Sequence, residues 1–260
     1  MSNDFIIIAG PCVIEGRDFA LRHAEHLKKI TEGLPIQYYY KSSYLKANRS
    51  SYTSFTGVGL ERGLSILGEV KQQFGLSICT DVHEISHCGI AAEVSDILQI
   101  PAFLCRQTEL IVAAGLTGKT VEIKKGQMVS AHEMILAAEK VRATGNSKIL
   151  LAERGTFFGY SDHVVDFRNL EIMAESGYPV IYDATHSVQQ KSGEKTTGGQ
   201  SRFIPALARA AIAVGVSGVF AECHEDPPSA KSDAMTQIPL SAFGDFLKRL
   251  LDIHFAIQSI

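Results

Sequence analysis

The sequence predicts a single (β/α)8 barrel of the TIM-barrel class, an α/β fold occupying residues 1–260, and three observations carry that expectation. Short, continuously apolar runs of strand length recur eight times. Such runs are what strands buried on both faces look like, and parallel strands need crossovers of one hand, which helices usually supply. Segments between the runs carry apolar residues at helical spacing. The positions just after the runs are polar in nearly every unit, as expected where barrel strands end at a shared cavity.

The runs, in order, are "FIIIAG" (5–10), "IQYYYK" (36–41), "LSICTD" (76–81), "DILQIP" (96–101), "TVEIKK" (120–125), "KILLAERG" (148–155), "PVIYDATH" (179–186) and "SGVFAECH" (217–224). Eight units in about 250 residues match a closed barrel. After the second run, Leu60, Leu64, Leu67, Val70 and Phe74 step by three or four and stop at Gly75, which predicts one buried helix face. Before another helix, Ser130 with Glu133 three residues on predicts a capping box, each side chain satisfying a free backbone N–H of the first turn. A doubly wound open sheet is the competing architecture, but it would usually place a glycine-rich phosphate loop after its first strand, and "AGPCVIEG" is not GxGxxG. No fixed-period repeat or linker interrupts the pattern. The stretch "KSGEKTTGGQ" (191–200), rich in glycine and polar residues, reads as a mobile loop with no assigned role.

With 260 residues, 45% of them hydrophobic, the chain can bury a full core. A formal net charge of −3 argues against general attraction to nucleic acid or to an anionic membrane, either of which would need a long-range basic field. No apolar run approaches the roughly 20 residues that span a bilayer, and "MSNDFIIIAG" lacks a basic segment and a signal-length core, so a cytoplasmic location is expected. Cys12, Cys79, Cys88, Cys105 and Cys223 are odd in number, scattered and free of CxxC pairs, which speaks against a disulfide framework or zinc ribbon. Four read as buried thiols. Cys12 stands apart because it follows a strand and a tight "GPC" turn.

The strand-end positions are Cys12, Lys41 with Ser43, Asp81, Gln99, Lys124, Glu153 with Arg154, Asp183 with His186, and Glu222. Singly, each is explained by a strand meeting solvent. Together they predict one polar cavity. Lys41, Lys46, Lys124 and Arg154 would converge at its mouth, where packed cations repel unless an anion neutralises them. Arginine offers a planar fork for phosphate or carboxylate, and lysine a point charge able to polarise a carbonyl. Arg49 lies further along the loop with Ser50 and Ser51, suited to a second phosphate. Ser43 and Gln99 are candidate substrate contacts at the same level.

A second constellation joins Cys12, His186, Glu222 and Asp233, from strands that would be neighbours in a closed barrel. Thiolate, imidazole and two carboxylates suit a borderline divalent ion such as zinc, iron(II) or manganese. The plain alternative is a buried small residue at Cys12 and a hydrogen-bonded imidazole at His186. His83 and His224 are competing ligands that spacing leaves open, whereas His23 and His26 on the first helix read as solvated surface residues.

The strings "AGPC", "KSSYLKANRSS", "TDVHE", "QIPAFLCRQTELI", "KKGQ", "ERGTFFGY", "VVDFR", "YDATHSVQ" and "SDAMTQIPL" resemble the family of 3-deoxy-D-manno-octulosonate 8-phosphate (KDO8P) synthases, in consistent order through nearly the whole chain. DAHP synthases are similar only in general pattern. The resemblance implies condensation of phosphoenolpyruvate with D-arabinose 5-phosphate and water, a step toward lipopolysaccharide. It also implies that Lys41, Lys46, Lys124 and Arg154 hold phosphoenolpyruvate and that Asn48, Arg49 and Ser50 hold the sugar phosphate. Arg106 would reach that phosphate from an adjacent subunit of a homotetramer. Cysteine at position 12 with "SDAMTQ" is similar to the metal-dependent branch, in which Cys12, His186, Glu222 and Asp233 hold the ion. Asp81 and His186 would serve proton transfer or orientation. Val58 and the "CHEDPP" stretch depart from the family's usual loops. Two other functions compete: condensation with another aldose phosphate, as in a DAHP synthase, and sugar-phosphate binding without catalysis.

Overall fold

The structure is a computed structural model that describes residues 5–49, 51–160, 162–190 and 198–258. Ser50 and most of the 191–200 loop, residues 191–197 with Lys195, lie outside the described residues.

Eight parallel strands close on themselves. They are β1 (Phe5–Gly10), β2 (Ile36–Lys41), β3 (Ser77–Asp81), β4 (Ile97–Ile100), β5 (Thr120–Lys124), β6 (Ile149–Glu153), β9 (Val180–Asp183) and β12 (Gly218–His224). Each pairs with the next, and β1 returns to pair with β12, Ile8 opposite Phe220 and Gly10 opposite Glu222. Between them run α1 (Arg17–Thr31), α2 (Leu60–Phe74), α3 (Ile85–Val94), α4 (Thr108–Leu116), α5 (Ala131–Arg142), α6 (Arg168–Ala174) and α7 (Ile204–Val214), with α8 (Leu240–Ile257) after the last strand. This is the TIM barrel that the eight apolar runs predict.

Alternation along the strands sorts side chains into two cores. Inward ones, among them Ile8, Cys79, Ile97, Leu150, Ile181 and Phe220, form a cluster inside the barrel. Outward ones join the buried faces of the helices in a larger cluster. The α2 face is built as its spacing predicts, with Leu64, Leu67 and Val70 buried and Gly75 closing the helix at φ 67°. Ser130 and Glu133 form the reciprocal capping box at α5. Gly10 is fixed by contact rather than by dihedral: a Cβ there would stand 2.2 Å from the Lys41 carbonyl oxygen.

Two findings depart from expectation. His23 is fully buried rather than solvated, because its Nδ1 donates to the Phe19 carbonyl at 2.9 Å and its Nε2 accepts from the Glu225 N–H at 3.1 Å. Satisfied at both nitrogens, the neutral ring packs against Phe19 as a core group. His26 is exposed as expected. The second is a small antiparallel sheet at the mouth, formed by β7 (Thr156–Gly159), β8 (Asp162–Val164), β10 (Gln189–Gln190) and β11 (Gly198–Gly199) in the order β11-β10-β8-β7. One further two-residue strand, β13 (Ile238–Pro239), pairs in parallel with the end of β12. Among the described residues no helix is long and apolar enough to cross a membrane.

Candidate active site

The strands end in a cavity of about 300 Å3 lined by Lys41, Lys46, Asn48, Asp81, His83, Gln99, Lys124, Gln127, Arg154, Asp183 and His186. Lys41, Asp81, Lys124 and Asp183 are the last residues of β2, β3, β5 and β9, so the termini of four strands deliver four charges to one space. All four are buried. Charges survive such burial only when paired or hydrogen-bonded. Lys124 Nζ donates to Asp183 Oδ2 at 2.6 Å, stands 3.7 Å from Glu122 Oε1, and sits 3.0 Å from the centre of the Phe220 ring. Lys41 Nζ reaches Ser43 Oγ at 3.0 Å and both the Cys12 carbonyl and Glu222 Oε1 at 3.4 Å.

The carboxylates answer this field. Burial works against the charged form of Asp81, but Lys41, His83 and Lys46 outweigh it and hold the group well below the usual carboxylate range. Asp183 is likewise held low, His186 and Lys124 overcoming its burial. Burial by itself would lower Lys46; the acidic groups Cys12, Glu222, Asp81 and Asp233 reverse that and keep it firmly an ammonium. Glu122 differs. Inside the barrel and fully buried, its carboxyl is raised by burial despite Lys124, and its Oε1 has no hydrogen-bond partner.

Beside the cavity, one ligand atom each from Cys12, Glu222 and Asp233 lies within 4.8 Å of the others. His186 Nε2 is 3.9 Å from Glu222 Oε1 and 3.9 Å from Asp233 Oδ2. Its Nδ1 faces Asp183 Oδ2 at 2.8 Å, and a carboxylate there fixes the proton on Nδ1 and leaves the Nε2 lone pair facing the group. Asp233 adopts φ 47°, in the left-handed region that non-glycine residues seldom occupy. The Cys12 thiol donates to Asp233 Oδ2 at 3.2 Å, and burial, reinforced by Glu222, pushes it well above the ordinary thiol range.

The expected residues do not all meet. Ser43 is buried beneath Lys41 and is not part of the cavity lining. Arg49 turns away from the cavity, donating to Ser232 Oγ at 2.7 Å and to the Lys231 carbonyl at 3.0 Å. Arg106 stays outside its own cavity and pairs with Glu133 at 2.8 Å on the surface. Glu153 turns to Lys125 and the Gly155 N–H. His83 Nε2 is 3.3 Å from Asp81 Oδ2, and His224 Nε2 is 3.3 Å from Glu15 Oε1, so neither joins the Cys12 group.

Gln189, absent from the expected set, completes a relay: Arg154 NH2 donates to its Oε1, and its Nε2 donates to Asp233 Oδ1 at 3.1 Å. The small antiparallel sheet places it, and apolar periodicity carries no trace of a two-residue strand. The same sheet brings His163, whose Nδ1 accepts from Arg154 NH1 at 3.1 Å. Burial and then Arg154 pull His163 from 6.5 down to about 4. Between those values the unfolded chain takes up a proton there that the folded chain does not, so this contribution lowers stability as pH falls from 6.5 toward 4. His163→Gln is expected to shrink the drop in melting temperature between pH 7 and pH 5, measured in parallel on both proteins.

The family model described as "DAHP synthetase I family" matches residues 2–259. A 2-dehydro-3-deoxyphosphooctonate aldolase of Syntrophobacter fumaroxidans is 53% identical over 258 residues, covering 99% of this chain and 90% of that protein. One from Magnetococcus marinus is 55% identical over 245 residues, 94% of this chain and 85% of its own. A third, from Granulibacter bethesdensis, is 53% identical over 247 residues, with 95% and 88% covered.

Proposed function

We propose, from the premise that this chain belongs to the DAHP synthetase I family, that it condenses phosphoenolpyruvate with D-arabinose 5-phosphate and water. The products are 3-deoxy-D-manno-octulosonate 8-phosphate and inorganic phosphate, the activity of a 2-dehydro-3-deoxyphosphooctonate aldolase, or KDO8P synthase, for lipopolysaccharide assembly. The observation that carries this reading is the cavity itself: Lys41, Lys46, Lys124 and Arg154 line one space with Asp81 and His186, directly beside the Cys12 group.

The C3 methylene of phosphoenolpyruvate forms the new bond to the aldehyde carbon of the sugar. Water adds to C2, and the C2–O bond to phosphate then breaks to leave the ketone. Of the two water protons, one ends on the former aldehyde oxygen and the other on the departing phosphate. Lys124 and Arg154 neutralise the phosphate and carboxylate of phosphoenolpyruvate, and Lys41 and Lys46 polarise the oxygens on which charge develops. Asp81, held ionised by Lys41 and His83, is a weak base and chiefly orients His83, 3.3 Å away. Asn48 lines the cavity and is assigned to the sugar. Arg49 and Ser50 are assigned to the sugar phosphate, with Arg106 supplied from an adjacent subunit of a homotetramer.

The residues at the Cys12 group fit a divalent cation. Glu222 Oε2 is buried with no hydrogen-bond partner, the Cys12 sulfur and the Glu222 and Asp233 carboxylates lie close together, and the His186 imidazole stands 3.9 Å from both carboxylates. Cys12, His186, Glu222 and Asp233 would hold the ion, zinc, iron(II) or manganese, and bound there it would supply Lewis acidity to an adjacent oxygen. Because the thiol is held protonated, loading a cation releases a proton and tightens with rising pH.

The test is phosphate release from phosphoenolpyruvate, run with arabinose 5-phosphate and separately with erythrose 4-phosphate, before and after chelation and with each metal restored. Turnover with arabinose 5-phosphate, lost on chelation and regained with metal, is expected. Preference for erythrose 4-phosphate would move the substrate assignment. Binding of both substrates with no phosphate release under any condition would leave only a binding protein.

A further inference from the structure

Outside the barrel-mouth cavity, α7 and α8 leave a cleft of about 440 Å3 between them. Its floor is apolar: Ile204, Ile238, Phe246 and Leu250 line it and are all buried. Its rim is cationic. Arg202, Arg209 and Arg249 face it, against the single carboxylate of Asp245. Among the described residues none of these arginines forms an ion pair. Arg202 meets only Gln200 Oε1 at 3.1 Å and lies over the Phe203 ring at 4.5 Å.

Three guanidinium groups at the rim of a concave apolar floor make a local excess of positive charge, and the planar fork of arginine matches phosphate and carboxylate oxygens. A second observation concerns the wall of the cleft. Gln237 lines the cleft, is 3% exposed, and donates its Nε2 to the Ser232 carbonyl at 2.8 Å, while its Oε1 is buried with no partner. An unpaired buried acceptor beside a cavity calls for a donor from whatever fills the cavity. The cleft is also within the size range of small-molecule sites.

We propose that the cleft between α7 and α8 is a second ligand site, for a small anion that carries a phosphate or carboxylate head on an apolar body. Arg209 and Arg249 hold the head, the buried aliphatic and aromatic side chains hold the body, and Gln237 Oε1 takes a hydroxyl or amine proton. Neither Arg209 nor Arg249 lines the barrel-mouth cavity or is assigned to the reaction.

The test is calorimetric titration of the full chain with phenyl phosphate, with the barrel-mouth cavity saturated by phosphoenolpyruvate. Inorganic phosphate and benzyl alcohol are titrated as the head and body alone. Phenyl phosphate is expected to bind more tightly than either, and Arg209→Ala with Arg249→Ala to weaken it about tenfold without changing turnover. Hydrogen exchange is expected to slow in residues 204–209 and 242–250. No binding of phenyl phosphate, binding indifferent to the double substitution, or protection of both segments that rises with protein concentration without ligand would overturn the proposal. The last outcome would mean that a second copy of the chain covers the cleft.

Discussion

Cys12→Ala is expected to cut metal-restored turnover by about a hundredfold or more, with the bound metal lost in the same proportion and the fold unchanged. The thiol is one of three groups whose ligand atoms lie within 4.8 Å of one another. Because cysteine binds a cation as the thiolate, removing it takes away both a sulfur ligand and a negative charge beside Glu222 and Asp233, so affinity for a divalent ion falls at both the ligand and the charge level. Asp233→Asn is the informative companion. Asparagine tolerates the left-handed backbone at φ 47° as well as aspartate does, so that variant isolates the carboxylate from the turn that carries it. Both variants should keep the parent melting temperature when stripped of metal. Metal content by mass spectrometry, beside steady-state turnover, is the measurement, and full activity of Cys12→Ala in chelator would end the metal assignment.

Lys124→Met should be the most damaging single change to both activity and stability. The ammonium is the shared partner of Asp183 at 2.6 Å and Glu122 at 3.7 Å, and all three side chains are buried. Breaking a buried pair by deleting one member costs about 3–5 kcal/mol, because the other is left uncompensated. At that size the melting temperature falls by at least about 6 °C. The pH dependence has a definite sign. The folded-state carboxyl of Glu122 is already raised by burial, and losing Lys124 raises it further. A raised folded-state carboxyl contributes stability at low pH that is lost as pH climbs through it. The deficit of the variant is therefore expected to narrow as pH falls from 7 toward 5. Its KM for phosphoenolpyruvate should rise by an order of magnitude or more, and an unchanged KM with an unchanged melting curve would refute the role.

The barrel was legible because its physics is periodic. Eight runs buried on both faces, a helix face stepping through Leu64, Leu67 and Val70 to Gly75, and a capping box at Ser130 are patterns that local chemistry writes into sequence. The ends of the strands were legible for the same reason, which is why Lys41, Asp81, Lys124 and His186 were found together. What escaped is what periodicity does not encode. Gln189 is positioned by a two-residue strand, and Glu122 looks like any inward strand residue until its neighbours are known. Arg49 was assigned from its loop alone, and its hydrogen bonds to Ser232 and Lys231 join segments 182 or more positions apart. Asp183 was seen as a strand end, yet its double service to Lys124 and His186 emerges only from distances.

Lys124 closes β5, and Lys125, directly after it, points the opposite way. Lys124 enters the barrel, while Lys125, fully buried, is caged by the carbonyls of Gly126, Val129 and Gly155 with Glu153 at 3.4 Å. Chemically the two are identical, so β5 carries something like a reading frame. A deletion or insertion of one residue within Thr120–Lys124 would keep both lysines and their charge but exchange their addresses, emptying one cage and crowding the other. A two-residue change would preserve the parity of the strand. Sequence comparison scores such a lysine pair as a repeated letter, whereas the fold treats it as two words with different meanings.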